Sequence, residues 1–231
     1  MGLHLAGFEV VGFDLVHQPR YPFEFHCQDA LTVDLSNFDA VWASPPCQAH
    51  TMLRTMPNAK VHLDLIPATR GKLLAWGGPY IMENVVGAPL ISPVMLCGTM
   101  FGLGVHDAQL RRHRLFESNV PLRAPRPCQH IRGPVCGVYG GGGVHGARNG
   151  RPRTVGVWGH AGSSSLRDAC QQFSTQERSV AMGIDWMSGK ELSQAIPPAY
   201  SRWLGKQLLD YHLRFYGKSV DMLHRTAILP S

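Results

Sequence analysis

The first half of the chain alternates short apolar segments with helical spacing, and this alternation restricts the folds that it can adopt. The segments FEVVGFDL, FDAVWAS and PYIMENVVG are apolar and rich in β-branched and aromatic residues, which is typical of buried strands. Between the last two lies HLDLIPATRGKLLAWG, whose spacing is helical and whose Pro67 favours a helix start. Strands that alternate with helices predict an α/β fold with a mostly parallel sheet and covering helices.

The second half of the chain predicts a return to this domain after a polar interruption. LFES, which follows Arg114, predicts a further strand, and a Pro-, Gly- and Arg-rich region then continues to about Ser165. STQERSVAMGI and PPAYSRWLGKQLLDYHLRFYG predict helices, and Ser174 with Glu177 has the spacing of a capping box. We therefore expect one α/β domain with a small insert and a C-terminal helix that closes the sheet.

Polar side chains follow three of the predicted strands. Asp14 and Glu83 end the first and third apolar segments. Cys47 follows the second segment, after Pro45 and Pro46 have stopped the strand. The carboxyl ends of parallel strands share one sheet edge, where ligand crevices form. A thiolate beside a carboxyl that can donate a proton is an arrangement for covalent catalysis. The structural alternatives are a buried thiol, a helix cap and half of an ion pair.

The chain is moderately basic, and its arginines are concentrated in one region. It has 22 Lys and Arg against 16 Asp and Glu, a formal net charge of +6 and a pI of about 9.2. Nine arginines, no lysine and one acid, Glu117, lie between Arg111 and Arg153, together with the segment VYGGGGVHGARNG. Such a segment indicates a surface that binds phosphates and base edges. The alternative is a solvated, disordered loop.

Other features exclude some classes of protein. No apolar run approaches the ~20 residues that a membrane-spanning helix needs. The segment MGLHLAGFEVVGFDL has no basic leader with a cleavage site, and the six cysteines form no CxxC pair. We expect a monomeric, cytoplasmic protein with free thiols and no membrane partner.

Short motifs spread along the chain resemble those of a known family. SPPCQ at 44–48, ENV at 83–85 and RHR at 112–114, in this order, resemble the central motifs of DNA cytosine-C5 methyltransferases, in particular the short bacterial and phage versions. AGFEVVGFDL, CQDAL, STQERSVAMGI and SQAIPPAYSRWLG resemble the flanking motifs. The resemblance covers nearly the whole chain except the Arg- and Gly-rich insert. It implies a Rossmann-like methyltransferase fold with helices on both faces of the sheet.

The resemblance implies methyl transfer from S-adenosyl-L-methionine to a cytosine that is flipped out of duplex DNA. Cys47 would attack C6 of the cytosine as a thiolate, and Glu83 would protonate N3. Arg114 would hold the cytosine O2, Arg112 would support the active-site loop, and Asn84 would orient neighbouring backbone.

The resemblance also assigns binding residues. Asp14 would bind the ribose of the cofactor, and Asp29 would face its adenine amino group. The predicted cofactor-binding residues are Asp14, Asp29, Ala30, Pro45, Ser193, Gln194 and Ala195. The predicted contacts to double-stranded DNA are Gln48, Arg132, Arg148, Arg151 and Arg153. A cognate restriction nuclease is the other candidate partner, and no metal site is expected.

By this resemblance the chain divides into three parts. Residues 1–118 form a catalytic and cofactor-binding domain whose first strand is missing. Residues 119–168 form a small target-recognition region, and residues 169–231 return to the catalytic domain.

Three positions depart from the family pattern. Ser193-Gln194 replaces the family's usual Gly-Asn, and Leu110 stands where the family has a glutamine two residues before RHR. Family chains begin with a strand and turn resembling DLFCGAGG, whereas this chain begins at Met1, inside the expected first helix. Without that central strand we expect two exposed strand edges, a reduced cofactor pocket and low activity. Either the native start lies upstream or the gene product is impaired.

Three alternatives remain open at this level. The first is a catalytically inactive DNA-binding remnant of the family. The second is a zinc-binding interaction module that uses Cys128, His130, Cys136 and His145, although their spacing matches no standard zinc pattern. The third is transfer of a group other than methyl to cytosine C5, because the same cysteine and acid would serve.

Overall fold

The computed structural model describes residues 1–50, 61–130, 135–137, 154–156, 173–216 and 224–229. The chain forms two compact units. Unit 1 comprises Met1–Met95, Arg114–Arg123 and Arg202–Ser231, and unit 2 comprises Leu96–His113 and Ala124–Ser201. The predicted target-recognition region, 119–168, therefore falls mainly in unit 2, together with residues on either side of it.

Five α-helices are described, and two of them begin with a capping box. The described residues form the α-helices α1 (Gly2–Ala6), α2 (Ile66–Trp76), α3 (Thr175–Met182), α4 (Gly189–Gln194) and α5 (Pro198–Tyr216), and 3-10 helices at Gln48–His50 and Gly98–Phe101. The predicted helix start at Pro67 is confirmed. The capping box of α3 is also confirmed: Ser174 Oγ accepts from the Glu177 N–H at 3.2 Å, and the Glu177 carboxylate accepts from the Ser174 N–H at 2.7 Å. None of these helices is long and apolar enough to cross a membrane.

Unit 1 is built on a mostly parallel sheet. The strands of the described residues are β1 (Phe8–Asp14), β2 (Glu24–Cys27), β3 (Ala40–Ala43), β4 (Tyr80–Asn84), β5 (Val94–Leu96), β6 (Gly104–Val105), β7 (Ala108–Leu110), β8 (Arg114–Ser118), β9 (Val135–Gly137), β10 (Thr154–Gly156) and β11 (His224–Leu229). The large sheet has the order β2-β1-β11-β3-β4-β8-β5. Its first five strands are parallel, and β8 is antiparallel to β4. The predicted α/β class with a mostly parallel sheet is therefore confirmed.

The central strands are buried on both sides. Every residue of β3 and β4 is buried, and successive side chains of a strand point to opposite faces, so both faces of the sheet are covered there. Gly12 in β1 makes room for Tyr21: a Cβ at this position would lie 2.6 Å from the Tyr21 ring, which would have to move.

The expectation of two exposed strand edges is wrong, because the last strand of the chain lies in the middle of the sheet. β11 is parallel to β1 on one side and to β3 on the other, and Ala227 lies opposite both Val11 and Val41. Ala227 is fully buried. The sheet is therefore continuous where the resemblance leaves a gap, and a strand rather than the C-terminal helix completes it.

Unit 2 has a second, smaller sheet and its own apolar core. The sheet has the order β10-β9-β7-β6, in which β9 is parallel to both β10 and β7, and β6 is antiparallel to β7. Its core includes Leu110, Ala181, Met182, Ile184 and Leu192, which come from β7 and from α3, α4 and the loop that joins them. Most of the predicted Arg- and Gly-rich insert lies outside the described residues.

Candidate active site

The predicted nucleophile Cys47 lies in a tight connection after β3. Pro45 is buried, and Cys47 is partly exposed. The chain then turns into the 3-10 helix Gln48–His50, in which the His50 N–H donates to the Cys47 carbonyl at 2.9 Å. The connection therefore presents Cys47 at the carboxyl edge of the sheet, as the position of the two prolines predicts.

His50 fixes the far end of this connection. Its Nε2 lies 3.0 Å from Oδ1 of Asp64, and the same oxygen accepts from the Ile66 N–H at the start of α2. Burial acts to raise the pKa of Asp64, but the hydrogen bonds from His50 and from the Ile66 N–H outweigh it and lower that pKa. The Cys47 connection is thereby attached to the first turn of α2.

Asn84 joins the Cys47 connection to the neighbouring strand. β3 and β4 are parallel, with Ala43 opposite Met82, so their carboxyl ends lie at the same sheet edge. Asn84 Nδ2 donates to the Pro45 carbonyl at 2.9 Å, and Asn84 Oδ1 accepts from the Val85 N–H at 2.9 Å. These are the contacts of a residue that orients backbone, which is the role predicted for Asn84.

Glu83 and Arg114 form a buried ion pair at the same edge. Arg114 Nε lies 2.8 Å from Glu83 Oε1, and the two side chains are 7% and 8% exposed. Glu83 is near the end of β4 and Arg114 begins β8, and the antiparallel register places Asn84 opposite Leu115, the residue after Arg114. The structure thus brings together three of the predicted catalytic residues, with Cys47 on the adjoining connection.

A pocket opens beside this edge, at the carboxyl end of β11. Its cavity volume is about 40 Å³, and the whole space between its walls, including the open mouth, is about 460 Å³. It is lined by Leu15, Asp29, Ala30, Leu31, Pro45, Pro46, Leu65, Thr69, Lys72 and Leu229. Three predicted cofactor-binding residues, Asp29, Ala30 and Pro45, are therefore among its walls. The chain order reverses between β1 and β3, which is where open α/β sheets bind ligands.

Asp14 does not line the pocket, although the next residue in the chain, Leu15, does. Asp14 is buried at the end of β1, where its Oδ1 accepts from the Val16 N–H at 2.9 Å and its Oδ2 accepts from Gln18 Nε2 at 3.1 Å. Each carboxylate oxygen has two lone pairs, so these bonds leave capacity for a ribose hydroxyl.

The remaining predicted cofactor residues belong to unit 2. Ser193 and Gln194 end α4, and Ala195 is its C-cap. Arg112 is fully buried in the same unit, where its Nη2 donates to the Ser193 carbonyl at 3.0 Å. The Tyr200 hydroxyl donates to the Arg112 carbonyl at 2.6 Å. Arg112 therefore fixes the Ser193 segment within unit 2.

The predicted DNA contacts are only partly visible. Gln48 is exposed, at the start of the 3-10 helix that follows Cys47. The other predicted contacts, Arg132, Arg148, Arg151 and Arg153, lie outside the described residues.

Sequence reasoning missed two sets of residues. Lys72 lines the pocket and donates from Nζ to the carbonyls of Leu31 and Val33, which anchors the loop after β2; burial lowers its pKa. In unit 2, four side chains with metal-binding atoms lie together: Cys97, His113, Cys128 and His130. Only Cys128 and His130 lie close together in the sequence, so no spacing pattern indicated that Cys97 and His113 belong to the group.

We compared the chain with known proteins. No family model matches it, and no curated protein is significantly similar to it.

Proposed function

We propose that this protein is a DNA cytosine-C5 methyltransferase, and that its sheet is the core of a Rossmann-like methyltransferase fold. The observation that carries the proposal is the buried Glu83–Arg114 pair, at the sheet edge where Asn84 also holds the Cys47 connection. The residues concerned are those of the SPPCQ, ENV and RHR motifs. A nucleophile, a fixed carboxyl and a guanidinium are the groups that addition to a pyrimidine ring requires.

Cys47 would act on a cytosine that has left the base stack. Its thiolate sulfur forms a bond to C6, and the electrons of the C5–C6 double bond move into the ring, so that C5 becomes nucleophilic. After C5 has taken the methyl group, loss of the C5 proton to solvent expels the sulfur and restores the double bond. The net change is one methyl group gained and one proton released.

Glu83 and Arg114 would stabilise the ring during this addition. The Glu83 carboxylate takes up a proton before the addition and donates it to N3, which neutralises the negative charge that develops in the ring, and N3 returns this proton to Glu83 when the sulfur leaves. Arg114 holds Glu83 through Nε, and a guanidinium has five donor hydrogens, so the same side chain can also present a donor to the cytosine O2. Both side chains are nearly inaccessible to water, which strengthens these interactions.

The lining of the pocket at the end of β11 suits the adenosine part of the methyl donor that the proposal requires. Its walls are mainly apolar, and Asp29 at its rim can accept from an amino group, which suits a flat heteroaromatic ring such as adenine. S-adenosyl-L-methionine, when bound, supplies an electrophilic methyl group. Asp29, Ala30 and Pro45 would hold its adenosine part, with Asp14 as the acceptor for the ribose.

Cytosine methylation in a cell tests the proposal directly. The chain is expressed in a bacterial host that lacks cytosine methylation, and the total DNA is sequenced after bisulfite conversion. We expect 5-methylcytosine within one sequence context, its loss in Cys47→Ser and its retention in Cys27→Ser, since Cys27 is a free, exposed cysteine on β2. Absence of methylation with the unaltered chain, or its persistence in Cys47→Ser, would contradict the proposal.

A trapping experiment separates the enzyme from the inactive remnant. DNA that contains 5-fluorocytosine cannot lose the C5 substituent as a proton, so the Cys47 adduct should survive denaturation when S-adenosyl-L-methionine is added. DNA binding with neither adduct nor methylation would favour the remnant.

A further inference from the structure

Four metal-binding side chains of unit 2 converge on one point. The Sγ atoms of Cys97 and Cys128 and one ring nitrogen each of His113 and His130 all lie within 4.8 Å of one another. Cys97 is buried, His113 and Cys128 are partly buried, and His130 is exposed. Both cysteines are free thiols. The group is therefore closed on one side and open to solvent on the other, where an ion can enter.

The separations match the edges of a small tetrahedron. His130 Nε2 lies 3.5 Å from Cys97 Sγ and 3.0 Å from Cys128 Sγ, and His113 Nε2 lies 3.5 Å from Cys128 Sγ. A tetrahedral zinc ion with Zn–S of about 2.3 Å and Zn–N of about 2.0 Å holds its S and N atoms about 3.5 Å apart. The two imidazole rings are tilted by 73°, with centroids 5.0 Å apart, so they approach the same point from different directions.

The backbone around the group is fixed independently of the four side chains. Cys97 is the N-cap of the 3-10 helix Gly98–Phe101. A Cβ at Gly98 would clash with the backbone carbonyl of Leu110, so a glycine is required for this helix to lie against the end of β7, close in sequence to His113. Arg126 donates from Nε to the Met100 carbonyl at 2.7 Å and from Nη2 to the Thr99 carbonyl at 3.2 Å, which holds the segment that leads to Cys128.

A hydroxyl supports the two sulfurs. Thr99 Oγ1 donates to Cys97 Sγ at 3.3 Å and lies 3.6 Å from Cys128 Sγ. Hydrogen bonds to ligand sulfur are a common outer shell of metal centres, because they orient the thiolates and spread their charge.

We propose that Cys97, His113, Cys128 and His130 bind one Zn²⁺ ion as a structural Cys2His2 site. Two thiolates and two imidazoles in a tetrahedral arrangement favour zinc among the common divalent ions. Four protein ligands leave no position for a substrate, so the ion stabilises the fold rather than catalysing a reaction. It links the 3-10 helix, the RHR motif through its middle residue, and the segment at 124–130 that opens the Arg-rich region.

This site differs from the zinc module considered from the sequence. That module used Cys128 and His130 with Cys136 and His145. The structure replaces the last two with Cys97 and His113, which are 31 and 15 residues before Cys128. The proposal rests on unit 2 alone and does not depend on the proposed methyl transfer.

The described residues of unit 1 contain one competing group, and the test must separate the two. Asp39, His212 and His224 also bring their ligand atoms within 4.8 Å of one another. This group has no thiolate, and the Asp39 carboxylate already accepts from the Arg225 N–H at 2.9 Å. We therefore expect zinc at the cysteine site only.

The test is metal analysis of the full chain purified without chelator. We expect about one zinc per chain by inductively coupled plasma mass spectrometry. His130→Gln and Cys128→Ser should lose most of it, whereas the matched control Cys27→Ser and the unit 1 variant His224→Gln should keep it. Circular dichroism shows whether each variant is folded.

Cobalt substitution tests the ligands in the unaltered chain, so the proposal does not depend on the folding of a variant. Replacing zinc by Co²⁺ should give intense visible bands of a tetrahedral ion together with thiolate charge-transfer absorption. Removal of zinc by a chelator should lower Tm, and added Zn²⁺ should restore it. A chain that neither carries nor takes up zinc, cobalt spectra without thiolate absorption, or zinc that persists in both ligand variants would overturn the proposal.

Discussion

Asn84 donates a hydrogen bond to the carbonyl of Pro45 across 2.9 Å, and this bond joins the end of β4 to the connection that carries Cys47. Both partners are buried. Loss of the donor leaves a buried carbonyl without it, at a cost of ~1–3 kcal/mol. The bond therefore contributes to the stability of the edge as well as to the position of the nucleophile.

Asn84→Ala should reduce the rate of methylation by more than the loss of stability alone can explain. A small displacement of Cys47 costs about 10- to 100-fold in rate. Asn119→Ala is a matched control, because Asn119 makes two similar side-chain bonds to backbone at the opposite end of β4, to Gly78 and Tyr80. Asn119 is exposed, so Asn119→Ala should lose less free energy of unfolding in urea than Asn84→Ala, and the rate per folded molecule should fall only in Asn84→Ala. Equal rates for the two variants would remove the positioning role from Asn84.

Arg114→Lys should lower methyl transfer by about 100-fold or more, because an ammonium cannot hold Glu83 through Nε while presenting a second donor in a fixed plane. The matched control is Arg70→Lys. Arg70 on α2 pairs with the buried Glu117 of β8, with Nε and Nη2 at 2.8 and 2.7 Å from its two carboxylate oxygens. The control should lower Tm and leave the rate per folded molecule unchanged. Adduct formation with 5-fluorocytosine DNA measures the rate, and an Arg114→Lys chain as fast as the control would contradict the assignment.

Glu117 should make the protein less stable in acid. Burial acts to raise its pKa, but hydrogen bonds from Arg70 and from the Ile91 N–H dominate and lower it below 4.5. A lowered pKa in the folded state means that the ionised group stabilises the fold above its unfolded pKa and that this contribution is lost as the pH falls through the folded pKa.

The measurement is urea unfolding from pH 7 to about pH 3. Between these values the free energy of unfolding should fall more steeply for the unaltered chain than for Glu117→Gln. Glu9→Gln serves as the control, because Glu9 pairs with Arg225 at 3.4 Å with both side chains more than a third exposed, and such a pair contributes little. If the free energy of unfolding fell with pH equally steeply in the unaltered chain and in Glu117→Gln, Glu117 would not be responsible for the loss of stability in acid.

Ala227→Asp should destabilise unit 1 by several kcal/mol, because it places a carboxylate in the buried centre of the sheet without a partner. Leu74→Asp is the control, since Leu74 on α2 is 59% exposed. Thermal unfolding followed by circular dichroism should show a large loss of Tm for the first variant and little change for the second. A tolerated Ala227→Asp would mean that β11 does not lie between β1 and β3 in solution.

Local patterns in the sequence predicted the elements whose signals are local. β1, β3, β4 and β8, the start of α2 and the capping box of α3 each follow from a short run of residues. The second capping box, Ser188 with Glu191, has the same spacing and could have been found in the same way. The central position of β11 could not have been predicted, because the sequence of six residues after a long helix does not show which strands they pair with.

The functional residues also fall into those that local sequence patterns predict and those that only the tertiary structure brings together. The polar ends of β3 and β4 were readable as one edge, because parallel strands impose that relation. The zinc ligands were not, since Cys97, His113 and Cys128 are brought together by the packing of Gly98 against Leu110 and by the bonds of Arg126. Such contacts depend on tertiary structure, and no sequence spacing encodes them.

The central place of β11 sets the order in which this protein can fold. β1 and β3 are separated by 25 residues, from Asp14 to Ala40, yet neither can pair with its neighbour on that side until residues 224–229 have been synthesised. The large sheet is therefore completed by pairings between residues about 200 positions apart in the chain, which slows folding. During translation, β1 and β3 remain unpaired on the sides that β11 later covers. A nascent chain released before residues 224–229 have been synthesised would hold two half-sheets with no strand to join them.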